Sequence, residues 1–304
     1  MFMARKPDGR EHQFGGDWTT QKLGVLASYL KSYTTALENK PSADRPFFKT
    51  YIDAFAGTGY RKPARESQDT PLFPDLAENE PQGLLDGSAR LALQTAPAFD
   101  RYVFIERSQA RCASLEGLKS EFPQLSARIQ VQRGEANEQI QALCKGVNWD
   151  SRRAVLFVDP YGMQVEWKTL VAVAETKAID LWLLFPLGMG VNRLLTKNPG
   201  DIPESWRNRL DLLLGTPDWA DEFYRVKTTP TLFGPDEELV KAKMETIGKY
   251  FNDRLKEVFA GVAEPGILRN SVNNPLYLFC FAVGNERGKP IALRIAQHLL
   301  KGLR

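Results

Sequence analysis

The chain has 304 residues, 43% hydrophobic and 25% charged, with 40 basic and 37 acidic side chains and a formal net charge of +3. This is ordinary globular composition, long enough for one decorated α/β domain or two smaller ones. There is no dense basic run to mark an electrostatic footprint for nucleic acid. The three scattered cysteines, Cys112, Cys144 and Cys280, lack metal-ligand spacing, which argues against a zinc or iron–sulfur site.

In chain order, "WTTQKLGVLASYLKSYTTAL" sets Leu23, Leu26, Leu30, Tyr33 and Leu37 on one helical face, with Asp17 or Thr19 as N-cap. A polar linker with Pro41 and Pro46 leads to a strand over 49–54, inside "TYIDAFAGTG". A loop of about 60–86 follows, carrying Pro63, Pro71, Pro74 and Pro81. Its length in a compact domain points to function or disorder. "GSARLALQTA" predicts a helix capped by Ser88.

"DRYVFIER" reads as a strand, followed by a helix over about 108–122. "ARIQVQRGEAN" gives a third strand and turn, then a helix over 138–145. "RAVLFVDPYG" is a fourth strand, "VEWKTLVAVAETK" a helix, and "IDLWLLFP" a fifth strand. Apolar strands alternating with helices predict a parallel sheet covered on both faces. From 188 to 264 the pattern turns irregular and helical, with "DEELVKAKMETIGKYFNDRLKEVF" as its clearest helix. "GILRN" and "PLYLFCFAV" then resume strands, one expected to be antiparallel, and "KPIALRIAQHLLKGL" closes as an amphipathic helix. The two longest apolar runs are about half of the roughly 18 residues a membrane span needs. "MFMARKPDGREHQF" lacks a signal-peptide core, so a cytoplasmic location is expected.

In an open α/β sheet, ligands bind beyond the carboxyl ends of the strands. Those ends carry Asp53 with Gly57 and Gly59, then Glu106, then Glu135–Ala136–Asn137, then Asp159–Pro160–Tyr161–Gly162. Any one acid could simply cap a helix or loop. Four at consecutive strand ends point to a shared ligand. A dinucleotide fingerprint needs G-x-G-x-x-G/A, but its third position here is Lys62, and a phosphate-cradling G-x-x-x-x-G-K-[ST] is absent. A nucleoside with a cationic group suits a ring of carboxylates better.

"YIDAFAGTG" resembles the first motif of the class I S-adenosylmethionine-dependent methyltransferases, in the D-x-F-x-G-x-G form of nucleic-acid amino-methyltransferases. The resemblance implies that Asp53, Phe55, Gly57 and Gly59 line the cofactor. It also implies that Glu106 of "FIER" takes the ribose hydroxyls and that Glu135 and Ala136 of "RGEAN" lie by the adenine. A carboxylate accepts two hydroxyl hydrogen bonds at once. "VDPYG" is similar to the D-P-P-Y motif, in which the acid and the proline carbonyl accept the target amino N–H groups and the aromatic stacks on an extruded base. That casts Asp159, Pro160 and Tyr161 as catalytic. One proline is missing, which brings the motif closer to the D-P-F-G of tRNA guanine-N2 dimethyltransferases.

Upstream, "FGGDWTTQK" resembles the element that meets the cofactor's carboxylate end, with Gly16 or Lys22 as the contact. Trp18 is either a substrate contact or a staple at the helix start. In "FPLGMGVNRLL", Asn192 and Arg193 either reach substrate or sit on a solvated face.

Taken together, "FGGDWTTQKL…YLKSY", "YIDAFAGTG", "GSA…FIER", "DPYG…V.W.TL" and "DLW.LFPLGMGVNR" resemble the bacterial three-Cys-motif partner family (TcmP). The resemblance implies a Rossmann-like class I methyltransferase sheet with helices on both faces and a helical insertion. It divides the chain into an N-terminal helical element over 1–48 that meets cofactor or partner, an α/β core over 49–187 and 265–304, and a helical cap over 188–264. It implies S-adenosylmethionine as cofactor and, as partner, a protein with three cysteines that looks like a radical-SAM-type iron–sulfur protein. The expected activity is methylation of an amino nitrogen, with a nucleobase as one candidate. The alternatives are a non-catalytic cofactor-binding adaptor for that partner and a stand-alone DNA amino-methyltransferase. His12 and His298 are the only histidines and lie outside the strand-end motifs, which speaks against histidine or metal catalysis.

Overall fold

The computed structural model describes residues 17–57, 87–160, 162–232 and 234–303. The predicted loop of 60–86 falls outside them, as do Gly16, Gly59 and Tyr161.

The first helix, α1 (Asp17–Ala36), leads to strand β1 (Phe48–Ala54), and a short helix α2 (Ser88–Leu93) precedes β2 (Arg101–Glu106). Then come α3 (Gln109–Glu121), β3 (Ile129–Arg133), α4 (Ala136–Gly146), β4 (Arg152–Val158), α5 (Trp167–Glu175) and β5 (Ile179–Phe185). The sheet runs β3-β2-β1-β4-β5, all parallel. Strand order therefore reverses between β1 and β4, and the crevice beyond the carboxyl ends of these two is where such a sheet holds a ligand.

Beyond β5 the chain makes a π-helical turn over Leu187–Val191, then α6 (Glu204–Leu214) and α7 (Trp219–Phe223). A two-stranded antiparallel ribbon of β6 (Tyr224–Thr231) and β7 (Gly234–Lys241) follows, then α8 (Met244–Val258). Two short strands, β8 (Gly261–Val262) and β9 (Gly266–Arg269), flank one edge of β10 (Pro275–Val283), which runs antiparallel beside β5. The last helix is α9 (Lys289–Leu300). The result is a mixed, mostly parallel, Rossmann-like α/β sheet with helices on both faces.

Side chains alternate across the strands and build two cores. Ile52, Val103, Leu156, Leu181 and Cys280 face α4, α5 and α8, whereas Tyr51, Phe104, Phe157, Trp182 and Phe281 face α1, α2, α3 and α9. Both faces are covered, which is why the strands read as continuous apolar runs. The α1 face is fixed by buried Leu23, Leu26, Tyr29, Leu30 and Tyr33 at helical spacing.

Two local expectations are corrected. The 188–264 segment is not wholly helical: β7 occupies the first part of "DEELVKAKMETIGKYF", and α8 begins only at Met244. The Glu–Leu run has good helix propensity, but it pairs residue for residue with the Thr-rich β6, from Tyr224↔Lys241 to Thr231↔Gly234. At α2 the N-cap is Gly87, and Ser88 lies inside the helix. Its hydroxyl engages Asp53 and Tyr51 instead of the helix end.

Candidate functional site

The turn after β1 is bent by two left-handed residues, Phe55 at φ 75° and Gly57 at φ 66°. A phenylalanine pays for that conformation, whereas a glycine adopts it freely. The Phe55 and Ala56 N–H groups both donate to the Ile105 carbonyl, at 3.2 and 3.1 Å, which docks the turn on the end of β2. Among the described residues, none has an atom within 4 Å of where a Cβ would stand on Gly57.

Glu106, the last residue of β2, is buried against this turn. The Gly57 N–H donates to its Oε2 at 3.1 Å and the Ser108 N–H to its Oε1 at 2.8 Å. The Arg111 guanidinium lies 3.8 Å from Oε2. Each oxygen keeps acceptor capacity, so the carboxylate can take two further donors in one direction. Ser108 also caps α3, accepting from the Arg111 N–H through its hydroxyl.

Asp53 is fully buried on the α1 face of β1. The Tyr51 hydroxyl donates to its Oδ2 at 3.1 Å, while Oδ1 has no hydrogen bond of good geometry among the described residues. Burial pushes this carboxyl up to about 7. The Asp159 charge pushes the same way, and the Ser88 and Tyr51 hydroxyls and the Lys22 ammonium hold it down.

Asp159 stands just past the end of β4, the strand that pairs with β1 in the register Asp53↔Phe157. The Lys22 ammonium, 1% exposed on α1, donates to Asp159 Oδ2 at 2.5 Å. The same ammonium lies 4.9 Å from the Trp18 ring centroid, and that ring packs at 5.1 Å against Tyr277 on β10. Trp18 and Lys22 are four residues apart and so share a helix face. Thr19, three residues before Lys22, has a buried Oγ1 without a hydrogen-bond partner among the described residues. Pro160 is buried and Gly162 is left-handed, at φ 69°.

Glu135 takes a local role. Its carboxylate caps α4, accepting from the Glu138 N–H at 3.0 Å and from the Asn137 amide at 2.9 Å. Ala136 is in the core. Asn137 pins the loop after β4: its amide donates to the Gln164 carbonyl at 2.9 Å, and its Oδ1 accepts from the Glu166 N–H at 3.0 Å and the Thr169 hydroxyl at 2.9 Å. Asn137, Tyr51, Ser88 and Ser108 are supporting residues whose partners only the folded sheet reveals.

Asn192 and Arg193 follow the π-helical turn. The Asn192 carbonyl accepts from Lys241 Nζ at 3.1 Å, and Arg193 is exposed. Lys241 also donates to the Leu195 carbonyl at 3.0 Å, and the Tyr224 hydroxyl to the Thr196 carbonyl at 2.8 Å. These bonds fasten the β6–β7 ribbon to the turn. Among the described residues, no group of three His, Cys, Asp or Glu is placed to hold a metal ion, and no helix is long and apolar enough to cross a membrane. The three cysteines are buried free thiols, and burial pushes Cys144 up to about 12.

No protein-family model matches the chain, and no curated protein matches its sequence. Among solved structures, the chain is similar to protein LPL1258 from Legionella pneumophila, at 11% identity and TM-score 0.48, over 95% of this chain and 93% of that one. It is similar to an O-methyltransferase from Bacillus cereus in complex with SAH, at 14% identity and TM-score 0.33, over 74% of this chain and 81% of that one. A protein described as an rRNA methylase from Clostridium thermocellum aligns at 12% identity and TM-score 0.28, over 64% of this chain and 91% of that one.

Proposed function

We propose that the chain is an S-adenosylmethionine-dependent methyltransferase acting on an amino nitrogen, working with a three-Cys-motif partner protein. The observation that carries this reading is the grouping of Asp53, Glu106 and Lys22-bound Asp159 at the carboxyl ends of β1, β2 and β4. The residues suit the cofactor. Glu106 has two acceptors for a pair of ribose hydroxyls, and, among the described residues, the Gly57 backbone is uncovered and Asp53 Oδ1 is a buried oxygen without a hydrogen bond of good geometry. When bound, S-adenosylmethionine supplies an electrophilic methyl group on a sulfonium.

The chain's own residues do the rest. Asp159 Oδ1 and the Pro160 carbonyl accept the two N–H groups of the acceptor amine, which counters delocalisation of the nitrogen lone pair and aims it at the methyl carbon. The Lys22 ammonium holds Oδ2, which fixes Asp159 in one orientation. Asp159 is 31% exposed, so the proton displaced from the methylated nitrogen has a path through it to water. Tyr161 completes the motif as the stacking aromatic.

The test is label transfer from methyl-tritiated cofactor to RNA, DNA and protein pools, with the partner present. Asp159→Ala is expected to keep cofactor binding and lose transfer; undiminished transfer would sink the assignment. The Lys22–Asp159 bond also favours a second reading, a cofactor-binding adaptor, because it already fills one acceptor oxygen of the motif. That reading predicts partner co-purification that survives Asp159→Ala, with no label in any pool.

A further inference from the structure

At the opposite end of the strands, where β4 and β5 begin, lies a half-open cavity of about 430 Å³. Arg153 of β4, Lys177 of the turn after α5, and Arg287 of the turn after β10 line it, together with Glu286 and an apolar wall that includes Val258 and Phe259 at the end of α8. We propose that this cavity binds a phosphate monoester of nucleotide size, with Arg153, Lys177 and Arg287 around the phosphate and the apolar wall against the organic body.

The volume is within the range of small-molecule sites, roughly 300–1,000 Å³. Three cations converge on it from three separate elements. The lining's acid, Glu286, is turned toward Lys289, 3.7 Å away. Arg153 is held rigidly, its Nη1 donating to the Arg152 carbonyl at 2.6 Å and the Trp149 carbonyl at 3.1 Å, with its guanidinium 4.0 Å from the Phe47 ring centroid. The side chains of Lys177 and Arg287 make no hydrogen bond or ion pair among the described residues. Burial lowers the Arg153 pKa and the Arg287 charge adds to this, while Tyr33, Asp180 and Asp150 act the other way; the buried Asp180 is itself held by the Tyr29 hydroxyl and the Gly284 N–H. A phosphate accepts from all three heads at once, and guanidinium groups match it in a bidentate fashion.

The cavity lies across the sheet from Glu106, which makes the site separable from the cofactor site. The probes are adenosine monophosphate, adenosine, and an oligonucleotide with or without a terminal phosphate, titrated calorimetrically into the full chain. Adenosine monophosphate is expected to bind, and to weaken about tenfold or more in Arg287→Glu and in Lys177→Asn. Both side chains are exposed, and asparagine tolerates the left-handed backbone of Lys177, at φ 52°. Tighter binding of the phosphorylated oligonucleotide would assign the end of a nucleic-acid chain as the ligand, and tighter binding of adenosine monophosphate a free nucleotide. The proposal is overturned if neither phosphorylated probe binds, if adenosine binds equally well, or if binding survives both cavity variants.

Discussion

The Lys22 ammonium and the Asp159 carboxylate, 137 positions apart in the chain, meet at 2.5 Å and join the first helix to the fourth strand end. Lys22 is 1% exposed and Asp159 31%, so the cation is the partner that cannot return to water while the fold stands. Asp53 lies within electrostatic reach of both.

Removing the cation should therefore be felt at two carboxylates. Lys22→Met is expected to destabilise the protein by about 1–2 kcal/mol, below the usual cost of breaking a fully buried pair because Asp159 can rehydrate. It should also raise the Asp53 pKa, since Lys22 is one of the groups holding it down. Chemical denaturation, with Asp159→Asn and the double variant closing a cycle, measures the coupling. An additive cycle would contradict the pair.

Asp53 gives a pH signature. Its folded pKa of about 7 stands above its ordinary value of 3.8, so the folded state binds the proton more tightly than the unfolded one. Stability therefore falls as pH rises from about 4 to about 7 and levels off above, by an amount on the order of a few kcal/mol. Asp180, raised to about 6 chiefly by burial, contributes with the same sign. Asp53→Asn should remove its own share, so that the variant's stability relative to wild type increases between about pH 5 and pH 8. Parallel denaturation curves with a constant offset across that range would rule this out.

The turn after β5 admits a purely steric test. A Cβ on Gly188 would stand 2.0 Å from the Pro275 carbonyl oxygen, at the start of β10. Gly188→Ala should cost at least about 1–3 kcal/mol. Gly24, exposed on α1, has nothing within 4 Å of such an atom, and Gly24→Ala should add about 0.5–1 kcal/mol. Thermal melts of the two variants should move in opposite directions.

The sheet was legible in the sequence because parallel strands buried on both faces write themselves as apolar runs, such as "RAVLFV" and "IDLWLLF". The strand-end acids were legible for the same reason: once the strands are placed, Asp53, Glu106 and Asp159 fall at their carboxyl ends. Pairing was not. The sequence marks Gly16 or Lys22 as a cofactor contact without showing that the Lys22 ammonium bonds Asp159, a pairing made by how α1 lies across the sheet. Glu135 looks like a further site acid, yet a carboxylate just before a helix has a capping bond within reach, and it takes that bond. The β6–β7 ribbon hides inside a helix-prone run because strand pairing is decided by the opposite strand and not by local propensity.

Glu106 carries the cofactor claim most plainly, because backbone donors fix both its oxygens, Gly57 N–H on Oε2 and Ser108 N–H on Oε1. Calorimetric titration of S-adenosylmethionine into the full chain, comparing wild type with Glu106→Ala, is the direct measurement. Saturable one-site binding by wild type, weakened about tenfold or more in a variant that still melts cooperatively, is the predicted result. Absence of binding by wild type, or equal binding by both proteins, would contradict the account.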